Sequence, residues 1–181
     1  FDFEADRLTH LLGHVAREIG PGRARAVRTL VTADHGAVPV VPERQLRADR
    51  VPAIAAEMAR PIAGDRRSGF FRARPGRREA LAAALTRRLP AGARILGVDQ
   101  ALAAGLFGPP PYHPELRERI GDLIVLPPVP SGLLGATPRP ESRSPDFLGS
   151  HSGLEPAELL VPLVSGSLYD LGGVDAAGGQ P

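Results

Sequence analysis

Two short segments more than a hundred residues apart, Thr32-Ala33-Asp34-His35-Gly36 and Gly149-Ser150-His151-Ser152-Gly153-Leu154, constrain this chain most. Each offers side chains able to bind a metal ion. The first closes an apolar run, residues 27–32, that reads as a buried strand. Asp34 and His35 then fall at the carboxyl end of that strand, where open α/β sheets place their ligands. Neighbouring side chains of a regular strand face opposite ways, so the two could share one ion only where the backbone has left the pleat. Gly36, free to take positive φ, provides for that departure.

At 181 residues the chain is long enough to bury a real core as one domain. All 22 basic residues are arginine, against 20 acids, and the net charge is only +2. No basic stripe of the kind that binds a nucleic-acid polymer stands out. Cysteine is absent, which excludes disulfides, thiolate zinc sites and a cysteine nucleophile, and leaves the compartment open. Any metal must therefore use oxygen and imidazole. No apolar stretch approaches the roughly 20 residues of a membrane span, and no charged-then-apolar leader opens the sequence. The opening residue, Phe1, suggests a piece of something longer or a processed product.

The spacing of Leu8, Leu11, Leu12, Val15 and Ile19 predicts an amphipathic helix over 4–19, ended by Gly20-Pro21-Gly22, whose apolar face needs a sheet. Residues 38–41 carry Pro39 and read as an edge or irregular extended segment. Residues 51–59 fit a short helix or strand equally. A strand is expected at 70–73, a helix over 77–89, a strand at 94–98, and a helix over 99–104 with Asp99 as its N-cap. A further strand at 122–126 leads into a proline-, glycine- and serine-rich surface loop over 129–148. Residues 156–160 suit a helical turn and 161–164 an extended piece. The chain from Gly172 reads as a flexible tail (172–181), leaving 1–171 as the folded part.

Taken alone, Asp-His-Gly describes a turn cap as readily as a ligand pair, and the second segment a loop entering a short helix. Order and wording change this. Val31-Thr32-Ala33-Asp34-His35-Gly36, followed by Leu148-Gly149-Ser150-His151-Ser152-Gly153-Leu154-Glu155-Pro156-Ala157-Glu158-Leu159-Leu160-Val161-Pro162-Leu163, resembles the carboxyl-terminal portion of the alkaline phosphatase superfamily. The type I phosphodiesterase/nucleotide pyrophosphatase branch is the nearest. Gly105-Leu106-Phe107-Gly108 and Arg119-Ile120-Gly121-Asp122-Leu123 resemble what bacterial members carry between the two histidine motifs.

The resemblance implies an α/β fold: an α/β/α sandwich around a mostly parallel central sheet, with two divalent metal ions, zinc as a rule, at the carboxyl ends of the strands. Asp34 and His35 would bind the ion that also holds the nucleophile, and His151 the ion opposite. Carboxylate oxygen and neutral imidazole suit zinc, and ions about 3.5–4 Å apart can stabilise both attacking and leaving oxygens of a phosphoryl displacement. The family hydrolyses phosphate esters through a phospho-enzyme on Thr or Ser. That nucleophile and the remaining ligands lie upstream of the Asp-His-Gly motif in the family, and this chain does not contain their counterparts. A fragment inactive alone is therefore expected, whose partners are a small phosphate-ester or nucleotide substrate and the missing amino-terminal half of the same domain. Where the family usually has glycine, this chain has Ser152; a loop needing positive φ there would be strained. Another superfamily hydrolase, a phosphoglycerate mutase-like enzyme and a non-catalytic scaffold module are the alternatives.

Other polar residues read as structural. His10 and His14 share a helical face beside the leucine stripe and suit solvated positions. Arg119 and Asp122 suit an ion pair or strand cap, His113 an exposed loop, and Arg66, Arg67, Arg72 and Arg74 a solvated face.

Overall fold

The computed structural model describes residues 2–134 and 149–174. Along the chain they form α1 (Asp2–Ile19), α2 (Pro21–Ala26), β1 (Arg28–Thr32), β2 (Val38–Pro39), β3 (Gln45–Arg47), α3 (Pro52–Ala55), β4 (Ala63–Gly64) and β5 (Gly69–Phe71). There follow α4 (Arg78–Thr86), β6 (Arg94–Gly97), α5 (Val98–Ala103), α6 (Leu116–Ile120), β7 (Leu123–Leu126), β8 (Gly132–Leu134), β9 (Gly149–Ser150), α7 (Pro156–Leu159), β10 (Leu163–Ser167) and α8 (Leu168–Leu171). Two compact units result, Phe1–Asp34 with Val161–Pro181, and His35–Leu160. Among the described residues no helix is long and apolar enough to cross a membrane.

In the His35–Leu160 unit, β7 is the organising strand. Its Leu-Ile-Val-Leu sequence is buried at every position, and alternation sends the four side chains to two faces. Leu123 and Val125 join Phe71, Ile54 of α3 and Leu81 and Leu85 of α4. Ile124 joins Leu96, Ala101 of α5 and Ile120 of α6. Helices therefore cover both faces of a four-stranded sheet ordered β4-β5-β7-β6, the three layers expected for the α/β class. Each fully buried Leu, Ile or Phe side chain contributes about 1.5–3 kcal/mol.

Strand direction departs from expectation. β5 and β6 both run antiparallel to β7, which lies between them. The pair β3 and β8 is parallel, with Leu46 opposite Leu133, but a mostly parallel central sheet is not formed by the described strands. A strand covered on both faces is a continuous apolar run whichever way its neighbours point, so direction was not readable from that run. β8 also replaces part of the loop expected over 129–148; residues 135–148 of that loop lie outside the described residues. Of residues 51–59, Pro52–Ala55 form the helix α3, and Met58 makes an antiparallel bridge to Ala73. Gly97, not Asp99, is the N-cap of α5, and the Asp99 carboxylate accepts from Arg117 instead.

In the other unit, α1 turns Leu12, Ala16 and Ile19 toward Ala24, Leu168 and Tyr169. Leu8, Leu11 and Val15 of the same stripe stay exposed. Backbones of α1 and the end of α8 touch: a Cβ on Gly13 would stand 2.6 Å from the Gly172 carbonyl oxygen. β1 is not the buried strand its composition suggests. It pairs antiparallel with β10 in a two-stranded ribbon, Leu30 opposite Ser165 and Thr32 opposite Leu163. One ribbon face meets Leu171 at Gly166, whereas on the other Leu30 and Leu163 remain 66% and 74% exposed. Of the expected tail, residues 175–181 lie outside the described residues.

Candidate metal centre

Two-residue β2 and β9 are short, but their register places the site. Val38 lies opposite Ser150 and Pro39 opposite Gly149, antiparallel. The chain before Val38 and the chain after Ser150 must then run side by side, which brings His35-Gly36 alongside His151-Ser152. The rings of His35 and His151 stack, with centroids 3.6 Å apart and planes inclined by 19°. Two imidazoles separated by 116 positions in sequence are neighbours in space. Asp34 is exposed and directly precedes His35 in the chain.

Each ring has its Nδ1 within hydrogen-bond distance of an oxygen. Nδ1 of His35 lies 2.8 Å from the Gly36 carbonyl oxygen. A carbonyl can only accept, so in this contact Nδ1 is the donor. Nδ1 of His151 lies 3.1 Å from Ser152 Oγ, and that hydroxyl lies 3.2 Å from Asp65 Oδ2. The Asp65 carboxylate accepts the hydroxyl proton, which leaves Oγ as the acceptor for His151 Nδ1–H. Both rings thus have Nδ1 beside an oxygen, an arrangement common to metal-binding histidines. In donor chemistry they fit zinc. Among the described residues no group of three His, Cys, Asp or Glu side chains is gathered as for a complete ion site.

What holds the two loops is a residue pair that sequence reasoning missed. Glu158, in α7, is buried, and its main-chain oxygen accepts from Gly36 N at 2.9 Å. Its carboxylate accepts from Gly153 N at 2.9 Å and Glu155 N at 3.2 Å. Arg67 is buried against it, Nε to Oε1 at 3.1 Å and Nη2 to Oε2 at 3.2 Å. The third guanidinium nitrogen donates to the Pro127 and Ser131 carbonyls at 2.7 and 2.8 Å. The expected solvated face therefore fails at Arg67, which is 1% exposed. Its neighbours in the basic run gave no periodicity that could have singled it out. Burial acts to raise the Glu158 carboxyl pKa, but Arg67 and the Gly153 and Glu155 amides outweigh it and hold the group below its ordinary value.

Gly36 serves by close approach rather than by positive φ. It is not among the residues of left-handed backbone, and a Cβ there would stand 2.0 Å from the Ala157 carbonyl oxygen. Ser152, in contrast, is at φ 84°, the one non-glycine residue of positive φ among those described. Glycine is the residue at ease in that conformation. Ser152→Gly is expected to stabilise the chain by about 1 kcal/mol in urea unfolding, relieving part of the cost of such backbone. It also removes the hydroxyl between His151 and Asp65, so the His151 ring is expected to lose that tether despite the added stability.

The remaining polar residues are structural. His10 and His14 are exposed on α1. His113 is exposed and its Nδ1 accepts from Glu115 N at 3.2 Å. Arg119 and Asp122 do not pair. Arg119 binds Glu115 one helical turn away, whereas Asp122 faces Arg72 at 3.6 Å and caps Ala73 N at 2.8 Å.

No protein-family model matches the chain, and no curated protein matches it in sequence. Among solved structures, murine ectonucleotide pyrophosphatase/phosphodiesterase 5 superposes with a TM-score of 0.58 at 14% identity, over 85% of this chain and 38% of that one. The chain shares its α/β fold. The human counterpart gives 0.58 and 14% over 85% of this chain and 37% of its own. An inactive variant of the murine protein in complex with AMP gives the same values. This distant likeness agrees with the alkaline-phosphatase-like α/β architecture expected above. The chain spans less than two-fifths of these neighbours' length.

Proposed function

We propose that these residues form part of a metal-dependent phosphohydrolase of phosphodiesterase or nucleotide pyrophosphatase type, with Asp34, His35 and His151 as metal ligands. The observation that carries this reading is the stacked pair of His35 and His151, each with Nδ1 within hydrogen-bond distance of an oxygen. The shared fold with a nucleotide pyrophosphatase/phosphodiesterase supports it. Two zinc ions would supply Lewis acidity toward a phosphoryl oxygen and toward the attacking and leaving groups. The chain's own share is to orient two imidazoles through Gly36 and Ser152 and to keep their loops together through Glu158.

The remaining ligands and a Thr or Ser nucleophile belong, in this reading, to polypeptide outside the 181 residues. The bare ribbon face with Leu30 and Leu163 supports a larger domain, since an exposed apolar strand face is ordinarily covered. The test is hydrolysis of bis(p-nitrophenyl) phosphate and of a nucleotide pyrophosphate by the longest natural polypeptide containing this chain. Zinc-dependent turnover lost in His35→Ala and in His151→Ala is expected. Turnover indifferent to both substitutions would sink the reading.

A further inference from the structure

Resting on the reading of His35 and His151 as metal ligands, we propose that Arg67 and Glu158 are positioning residues that set the spacing of the two imidazoles. Glu158 is bonded to both histidine-bearing segments at once. Its main-chain oxygen takes the amide of Gly36, next to His35, and its carboxylate takes the amide of Gly153, two residues beyond His151. Arg67 in turn ties that carboxylate to the Pro127 and Ser131 carbonyls, in the turn that leaves the buried strand β7. A rigid path thus runs from the sheet through the guanidinium and carboxylate to the two loops. The Arg67 and Glu158 side chains make no bond to either ring; they act on where the rings stand.

Stability alone is a poor reason for this pair. At 1% side-chain exposure on both partners, an apolar pair of similar volume would serve the core as well or better. What the ion pair adds is bidentate geometry, with each carboxylate oxygen directed to a named amide. The site's metal affinity therefore depends on residues buried beneath it.

The test uses the 181-residue chain and the double variant Arg67→Met/Glu158→Gln, which removes both charges together and so leaves no unpaired ion inside. Gly153→Ala is the second variant, since a Cβ there would stand 2.3 Å from Glu158 Oε2 and push the His151 loop away without touching Arg67. Three readouts are taken: thermal unfolding, ring-to-ring contacts of His35 and His151 by NMR, and titration with zinc alone. Expected is a folded double variant in which the ring contact is lost and zinc affinity falls about 10–100-fold, as for other supports of metal ligands. A folded double variant that keeps both the ring contact and the parent's zinc affinity overturns the proposal. If the parent takes no zinc, the ring contact decides alone: its loss in the variants sustains the positioning role, its persistence overturns it.

Discussion

Arg67→Ala is expected to cost about 3–5 kcal/mol of unfolding free energy, because it strands the Glu158 carboxylate in the interior. Nearly every contact that guanidinium makes is with a group that water does not reach. The Pro127 and Ser131 carbonyls lose their donor as well. Chemical denaturation at neutral pH measures the effect, with Arg119→Ala as a control: its partner Glu115 is exposed one turn away, and an exposed pair of that kind adds little. The same pair gives a signed pH dependence. In the parent the folded pKa of Glu158 is lowered, so its contribution is complete above the ordinary glutamate value of about 4.3 and is lost as pH falls through the lowered folded value. In Arg67→Ala burial acts on the carboxyl without its counter-charge and raises it. Protonation then relieves the variant, so the gap between parent and variant is expected to narrow as pH falls through the variant's raised value toward about 4.3, and further below it as the parent loses its own contribution. A gap constant from pH 7 to pH 3 would contradict the assignment.

Gly36→Ala is expected to cost about 1–3 kcal/mol, the range for forcing extra carbon into filled space. The new Cβ would meet the Ala157 carbonyl oxygen at 2.0 Å and its carbon at 3.0 Å, backbone atoms that no rotamer change can move aside. The turn can escape only by giving up the bond from Gly36 N to the Glu158 carbonyl. Ring contacts between His35 and His151 should weaken in the same variant, while the Phe71–Leu81–Val125 core keeps its hydrogen-exchange protection. Unchanged ring contacts would show that this turn is not held at α7.

That the two histidine segments belong together was legible from their order and wording, and the stacked rings show that the segments meet. β7 was legible because four apolar residues in a row have few other uses. β1 misled for the same reason: Leu30 and Val31 have strand composition, but composition does not say whether a second layer covers the strand. Strands of two or three residues, such as β3, β4 and β8, offer no period to count, and their pairing is set by partners far along the chain. Arg67 and Glu158 were missed because a buried ion pair requires knowing that positions 67 and 158 meet. Their local surroundings, a basic run and a helical turn after proline, resemble solvated surface. Gly36 was flagged for the wrong property, since sequence marks a glycine but not whether it provides positive φ or room for a neighbouring backbone.

The most direct measurement is zinc calorimetry on the 181-residue chain and on its His35→Ala and His151→Ala variants, with ring 15N shifts followed in parallel. Zinc binding that shifts the Nε2 resonances of both rings and weakens in each variant is the predicted result. Zinc binding that neither substitution weakens would contradict a metal centre at the junction of these two loops.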